Sequence, residues 1–227
     1  MHIAVLVANT DESAFAQAHP KDGAKFASLL HGLRPDWRIS AFSVKDGEFP
    51  PDDLPIDGWI ITGSPASVHD SEAWVTRLFG LIRAIVARGE PLFGACFGHQ
   101  AIATALGGTV AANPGGWVFG VAETVMEGTK MRLYAAHREQ VVRLPEGADL
   151  LGGNDDCPVG SFAIGRGVLT TQYHPEMTHG FMTALVGEYA DKLPIDVAAR
   201  ARQSLAHRAD RGQIAARMVR FFEQSRV

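Results

Sequence analysis

The sequence predicts an α/β fold with an open, mostly parallel sheet and a small antiparallel layer added to it. Three observations support this prediction. Short apolar, β-branched runs alternate with helical stretches along the first part of the chain, the pattern of right-handed strand–helix–strand units. The first run, residues 3–7, is apolar without a break, as expected for a strand covered on both faces. Residues 109–171 instead contain short strand-like pieces, which indicate the added antiparallel layer.

The individual elements follow from periodicity and from glycine and proline punctuation. Residues 23–33 carry Phe26, Leu29 and Leu30 at helical spacing. A second helix ends at Gly89, the usual position of a helix-terminating glycine. The predicted strands are residues 3–7, 38–44, 58–62, 91–95, 118–125, 131–134, 141–144, 161–164 and 168–172. The predicted helices are residues 23–33, 74–88 and 100–106, with a final helical region over 196–224.

The composition is that of a globular chain with a substantial core, with 46% hydrophobic and 20% charged residues. The net charge of −4 is not that of a chain with an excess of basic residues, so we expect no nucleic acid partner. No apolar run approaches the length of about 20 residues that spans a bilayer, so we expect no membrane association. The N-terminus is typical of a strand and not of a signal peptide. We expect residues 1–227 to form one domain.

The chain has two cysteines, Cys96 and Cys157. Without an export signal, this count predicts a cytoplasmic protein with free thiols, because the cytoplasm keeps thiols reduced. A disulfide between the two cysteines is the alternative that the sequence leaves open.

The first candidate catalytic residue is Cys96, in the segment Gly-Ala-Cys-Phe-Gly-His-Gln at residues 94–100. The segment joins a predicted strand to a predicted helix, so Cys96 lies at a turn like the nucleophile elbow. Glycines on both sides allow the unusual dihedral angles and close backbone approach that such a turn requires. A thiol there also lies near the positive end of the helix dipole, which favours the thiolate. Alternatively, Cys96 is a small buried apolar residue, as most free cysteines are.

The candidate base is His174, in the His-Pro-Glu segment at residues 174–176. It follows the predicted strand 168–172, and open α/β sheets place their sites at the carboxyl ends of strands. Residues i and i+2 of an extended segment point to one side, so Glu176 can hold and polarise the imidazole. The imidazole can take the thiol proton and return it to a leaving amine. The remaining histidines considered are interpreted as surface or packing residues: His2, His19, His31, His69, His179 and His207.

Together, residues 94–100 and the His-Pro-Glu segment resemble the class I (triad-type) glutamine amidotransferases, above all the glutaminase domain of GMP synthases and its free-standing relatives. The resemblance covers nearly the whole chain. Four further blocks resemble segments of the family: residues 60–65, 105–110, 116–120 and 134–141.

The resemblance implies a three-layer sandwich with a flavodoxin-like sheet, and hydrolysis of a γ-glutamyl amide through a thioester. Cys96 would be the nucleophile, His174 the base and acid, and Glu176 the group that orients the imidazole. The oxyanion would be met by backbone N–H groups of Phe97 and of the turn formed by Gly63 and Ser64. The family more often has Gly-Gly-Pro at this turn, where this chain has Gly-Ser-Pro. The residues that the resemblance places near the substrate are Gln100, Tyr134, Ala135, Ala136 and His137.

We expect no cofactor and no metal, and a small-molecule substrate, either glutamine or another γ-glutamyl compound. Glutaminase domains normally deliver ammonia to a synthase, but the sequence has no phosphate-binding Gly-x-x-x-x-Gly-Lys loop. The chain is therefore expected to serve a separate synthase subunit or to act alone, like the γ-glutamyl peptidases among the free-standing relatives. A third alternative is a redox-sensing or chaperone-like protein, in which the elbow cysteine senses oxidation. The His-Pro-Glu segment favours hydrolysis.

Overall fold

The computed structural model describes residues 1–225, and that part of the chain contains eleven strands and seven α-helices. The strands are β1 (His2–Val7), β2 (Arg38–Ser43), β3 (Gly58–Ile61), β4 (Leu92–Ala95), β5 (Thr109–Ala112), β6 (Val118–Met126), β7 (Thr129–His137), β8 (Glu139–Arg143), β9 (Ala148–Gly152), β10 (Ser161–Ile164) and β11 (Val168–Thr171). The helices are α1 (Ala14–Gln17), α2 (Asp22–His31), α3 (Ala73–Ala87), α4 (Phe97–Ala105), α5 (His179–Tyr189), α6 (Ile195–Ser204) and α7 (Arg211–Gln224). A 3₁₀ turn, Val44–Asp46, follows β2.

Seven strands form the central sheet, in the order β2-β1-β3-β4-β11-β10-β9. The first five are parallel to one another, and their order is that of flavodoxin-like sheets. The last two, β10 and β9, continue the sheet as antiparallel strands. The carboxyl ends of the five parallel strands therefore meet along one edge, where open α/β sheets bind ligands.

The alternation of side chains along β1 shows how the layers form. Ile3 and Val5 pack on one face against α2 and α7, whereas Ala4 and Leu6 pack on the other face against α3 and α4. Burial on both faces explains why β1 is an unbroken apolar run. The predicted three-layer α/β fold with a mostly parallel sheet is confirmed.

The antiparallel layer differs in detail from the prediction. Two two-stranded sheets, β6 with β7 and β5 with β8, lie outside the central sheet. The predicted strands 161–164 and 168–172, which we expected in that layer, belong to the central sheet as β10 and β11. All four residues of β11 are buried, and burial on both faces suits a position between β4 and β10.

The helices also differ from the prediction at particular points. The helix predicted over 100–106 begins earlier, at Phe97, directly after the cysteine. The region predicted over 196–224 is two helices, α6 and α7, and α7 begins after Asp210, which exchanges backbone and side-chain hydrogen bonds with Arg132. Helix α5 was not predicted, and it contains two glycines, Gly180 and Gly187, which weaken a helical signal. Helix α1 and strands β5 and β9 were also missed. No helix within residues 1–225 is long and apolar enough to cross a bilayer.

Candidate active site

Cys96 lies at a strained turn between β4 and α4. Its φ of 49° and ψ of −106° are unusual for a residue with a side chain, and its backbone N–H donates to Thr171 at 2.9 Å. An added Cβ on Gly94 would lie 2.6 Å from the carbonyl oxygen of Gly98, and one on Gly98 would collide with the carbonyl oxygen of Ile61. The two glycines are therefore required by close backbone approach, as the elbow interpretation predicts.

His174 and Glu176 lie together in the loop after β11. The Nδ1 atom of His174 is 2.7 Å from Oε1 of Glu176, and both side chains are buried. The backbone N–H of His174 donates to the carbonyl of Tyr134 at 2.9 Å, which ties this loop to β7. The two side chains therefore lie on the same side of the segment, as expected for residues i and i+2 of an extended chain.

The charge state of His174 is governed by its neighbours. Burial disfavours the imidazolium, but the interactions of the imidazole with Glu176 and, to a smaller extent, with Cys96 outweigh burial and raise the pKa of His174 well above 6.5. Because Nδ1 is held by Glu176, Nε2 is the nitrogen left to exchange a proton. Nε2 has no hydrogen bond of ordinary geometry to any residue from 1 to 225.

The turn after β3 packs directly against these groups. A Cβ added to Gly63 would lie 2.7 Å from Cε1 of His174 and 3.5 Å from Cβ of Cys96, so only glycine fits here. Within residues 1–225, the backbone N–H groups of Gly63, Ser64 and Phe97 have no hydrogen-bond acceptor. Donors without a partner beside a nucleophile are the groups that an oxyanion hole requires.

The structure brings only one of the five predicted substrate-binding residues, Ala136, to the cleft beside Cys96. Gln100 is buried, and its Nε2 donates to the carbonyl of Glu139 at 2.7 Å and to Oε1 of Gln172 at 3.2 Å. Its amide thus joins α4 to β8, and Gln100 does not line the cleft; that its side chain holds the substrate stays a prediction.

The other three predicted residues pack around the site without lining the cleft. Tyr134 and Ala135 belong to two different buried clusters behind it. His137 is buried, and burial together with the charge of His174 lowers its pKa to about 4. These three residues therefore do not line the cleft, and Tyr134 contributes to the site through its backbone hydrogen bond with His174.

Cys157 is a free thiol, as is Cys96, so the alternative of a disulfide is wrong. Burial raises the pKa of Cys157 to about 12, with smaller contributions from Cys96 and Asp156. Cys157 is consequently inert compared with a thiol beside an imidazole.

The cleft itself is the feature that sequence reasoning missed. It has a volume of about 510 Å³ and follows the carboxyl ends of all five parallel strands. The residues that mark those ends along the cleft are Val7, Ser43, Gly63, Cys96 and His174. Phe15, Phe119 and Phe181 also line it, although they are far apart in the sequence and belong to no shared motif.

Comparison with known proteins gives a consistent result. The sequence model of the family "Glutamine amidotransferase class-I" matches residues 38–186, more than half of the chain. The chain is 30% identical over 207 residues to a glutamine amidotransferase-like protein of Schizosaccharomyces pombe, covering 82% of this chain and 83% of that protein. It is 32% identical over 177 residues to gamma-glutamyl peptidase 4 of Arabidopsis thaliana, covering 71% and 70% of the two proteins.

One further relative and one solved structure extend this result. The chain is 27% identical over 165 residues to a glutamine-hydrolyzing GMP synthase subunit of Halobacterium salinarum, covering 68% of this chain and 85% of that protein. A glutamine amidotransferase of Thermotoga maritima has the same fold, with a TM-score of 0.75 at 17% identity over 98% of both chains. The chain belongs to the class-I glutamine amidotransferase family.

Proposed function

We propose that the chain hydrolyses a γ-glutamyl amide through a cysteine thioester. The observation that carries this proposal is the strained elbow of Cys96 beside the buried pair of His174 and Glu176, at the floor of the cleft. The Cys96 sulfur attacks the γ-carbonyl carbon, and the oxyanion that forms accepts hydrogen bonds from backbone N–H groups of Gly63, Ser64 or Phe97.

His174 then moves the protons. It donates its proton to the leaving nitrogen as the C–N bond breaks, which leaves the glutamyl group on the sulfur as a thioester. The neutral imidazole next takes a proton from water as that water attacks the thioester. Glutamate leaves with the water oxygen, the electron pair of the C–S bond returns to sulfur, and the imidazolium is restored. Glu176 holds the ring in place and stabilises its charge throughout.

The length of the cleft favours a leaving group larger than ammonia. Neighbouring strands lie about 4.8 Å apart, so the path from β4 across β3 and β1 to β2 covers about 14 Å. A glutamyl group attached to Cys96 occupies only one part of such a path. Cavities of about 300–1,000 Å³ hold drug-sized ligands, and the volume of about 510 Å³ lies in this range. We therefore favour a γ-glutamyl peptidase or amide hydrolase.

A second candidate is a glutaminase that supplies ammonia to a separate synthase subunit. The likeness to the GMP synthase subunit of Halobacterium salinarum supports it, and the triad chemistry is the same for both candidates. The two free cysteines support a reducing, cytoplasmic setting in either case.

The purified chain is expected to release glutamate from γ-glutamylalanine faster than from glutamine. The matched control is α-glutamylalanine, which has the same atoms in the other linkage and should release none. The measurement is enzymatic quantification of glutamate over time. If glutamine turnover instead rises sharply when a cell extract or a separately expressed synthase subunit is added, the glutaminase candidate is correct. No glutamate from any γ-glutamyl compound at any pH at which the chain stays folded would refute the proposed function.

A further inference from the structure

Five aromatic side chains line one wall of the cleft, and none of them takes part in the proposed chemistry. We call them the aromatic wall: Phe15, Trp117, Phe119, Phe181 and Tyr189. All five are half-buried. Their rings contact one another in two groups, with centroids 5.8 Å apart for Phe15 and Phe181 and 5.4 Å apart for Phe119 and Tyr189. Half-exposed rings gathered in a concave site mark a surface suited to an apolar ligand.

The aromatic wall is continuous with the candidate catalytic residues. Met177 directly follows Glu176, lines the cleft, and belongs to the buried cluster against which four of the five rings pack. Phe119 of β6 lies opposite Ala136 of β7. Ala136 lines the cleft, and β7 is also the strand that accepts the backbone hydrogen bond of His174. A substrate bound at Cys96 can therefore reach the wall without leaving the cleft.

One charged pair beside the wall, Lys25 with Asp22, is satisfied within the protein. The amine of Lys25 is 2.8 Å from Oδ1 of Asp22 and lies 3.6 Å from the centre of the Phe181 ring. The second oxygen of Asp22 accepts a hydrogen bond from Asn9 at 2.8 Å. Lys25 covers one face of the Phe181 ring. The remaining ring faces and edges of the wall form an apolar surface, and a planar or branched apolar group complements such a surface.

We propose that the aromatic wall binds the leaving group of the substrate, and that this group is an amine or amino acid with an aromatic or large apolar side chain. This inference rests on the proposed function and specifies the class of its substrate. The γ-glutamyl carbonyl is positioned at Cys96, and the amide nitrogen directs the apolar group toward Phe119 and Phe181.

The test compares kcat/KM for γ-glutamylphenylalanine and γ-glutamylalanine, which differ only by the phenyl ring. The intact chain should prefer the phenyl compound by about tenfold or more, as expected for a specific apolar pocket. Phe119→Ala and Phe181→Ala should each remove most of this preference, because kcat/KM should fall much more for γ-glutamylphenylalanine than for γ-glutamylalanine. Phe119→Leu, which keeps an apolar side chain, should retain part of it. The matched control is Phe79→Ala, which removes a partly buried ring outside the cleft.

Equal kcat/KM for the two compounds would overturn the inference and leave the proposed function intact. A preference that persists in both Phe119→Ala and Phe181→Ala would also overturn it. Absence of glutamate from every γ-glutamyl compound would refute the proposed function itself, and the inference with it.

A separate observation concerns Arg211, the first residue of α7. Its guanidinium donates from Nε to the carbonyl of Pro175 and from Nη2 to the carbonyl of Glu176, each at 3.2 Å. It thus holds two successive peptide units of the loop that carries the His174–Glu176 pair. Arg211 lies beyond the part of the chain that the family model matches.

The start of α7 is itself firmly placed. The backbone N–H of Asp210 donates to the carbonyl of Arg132, and the N–H of Arg132 donates to the Asp210 carboxylate, both at 2.8 Å. Strand β7 also accepts the backbone hydrogen bond of His174. The loop is therefore held from two sides, by β7 and by Arg211.

We infer that Arg211 is a positioning residue, which acts through the loop backbone and touches no substrate. Arg211→Ala should reduce kcat for γ-glutamylalanine by about tenfold to a hundredfold with KM little changed, because small displacements of catalytic groups are costly. The loosened pairing with Glu176 should also lower the pKa of His174, which is measurable by NMR titration. Arg211→Lys, which can make one of the two bonds, should be intermediate.

The matched control is Arg217→Ala. Arg217 lies on the same helix as Arg211, and the substitution removes its ion pair with Glu127, away from the His174 loop. It should leave kcat and the titration of His174 unchanged. If Arg211→Ala alters only the thermal midpoint and not kcat or the titration, the positioning role is refuted.

Discussion

We expect Cys96→Ser to abolish release of glutamate from every γ-glutamyl amide, a loss of about 10⁴-fold or more, on the scale seen when a triad nucleophile is removed. A hydroxyl beside His174 is a far weaker nucleophile than a thiolate. The fold should be unchanged, because serine is similar in size and the turn is determined by the backbone approach of Gly94 and Gly98. The measurements are glutamate release and the circular dichroism spectrum of the variant.

Labelling provides an independent test of the same assignment. Glutamine analogues that alkylate thiols should modify Cys96 and spare Cys157, whose thiol is fully buried and has a pKa of about 12. Cys157→Ala is the matched control, and it should retain both labelling and activity. Mass spectrometry that finds the label on Cys157 with Cys96 untouched would reject Cys96 as the nucleophile.

The second large effect is expected for His174→Ala, which should reduce the rate by about 10³-fold or more. The variant lacks both the base that takes a proton from water and the acid that protonates the leaving nitrogen. Double substitution of Cys96 and His174 should cost little more than either single change, because residues that act as a unit are not additive. Full activity in His174→Ala would refute the triad.

Glu176→Gln serves as the graded comparison for His174→Ala and should cost less, since the imidazole remains. The carboxylate is the largest influence that raises the pKa of His174 against burial. With a neutral amide at position 176, burial is opposed only by Cys96, so the pKa of His174 should fall. The alkaline limb of the rate profile should then move to lower pH, as should the NMR titration midpoint of His174. A midpoint that stays in place or rises would contradict this account of the site's electrostatics.

The elbow and the histidine loop could be predicted because their signals are local. The glycines around Cys96 are within two residues of it, and Glu176 is two residues from His174. Backbone sterics and the direction of neighbouring side chains in an extended segment are sufficient to relate such positions. The parallel strands were equally accessible, because burial on both faces leaves an unbroken apolar run.

Gln100 shows the opposite case. Its place one turn after Cys96 fits a substrate-binding residue, yet its amide is used by Glu139 and Gln172, which are 39 and 72 residues away in the sequence. Hydrogen-bond partners at such separations are set by the packing of β8 and β11 around α4. The sequence around Gln100 contains no sign of them.

The positions of the proposed nucleophile and its proposed base, and the sheet that carries them, could thus be predicted from short-range sequence patterns, since each depends on the conformation of a few adjacent residues. The cleft, the aromatic wall and the contact of Arg211 with the His174 loop could be identified only from the tertiary structure. Phe15 and Phe181 lie 5.8 Å apart although 166 positions separate their numbers. Half-buried rings of this kind have no periodicity that distinguishes a ligand surface from an ordinary core. Their function depends on which surfaces the folded chain leaves uncovered.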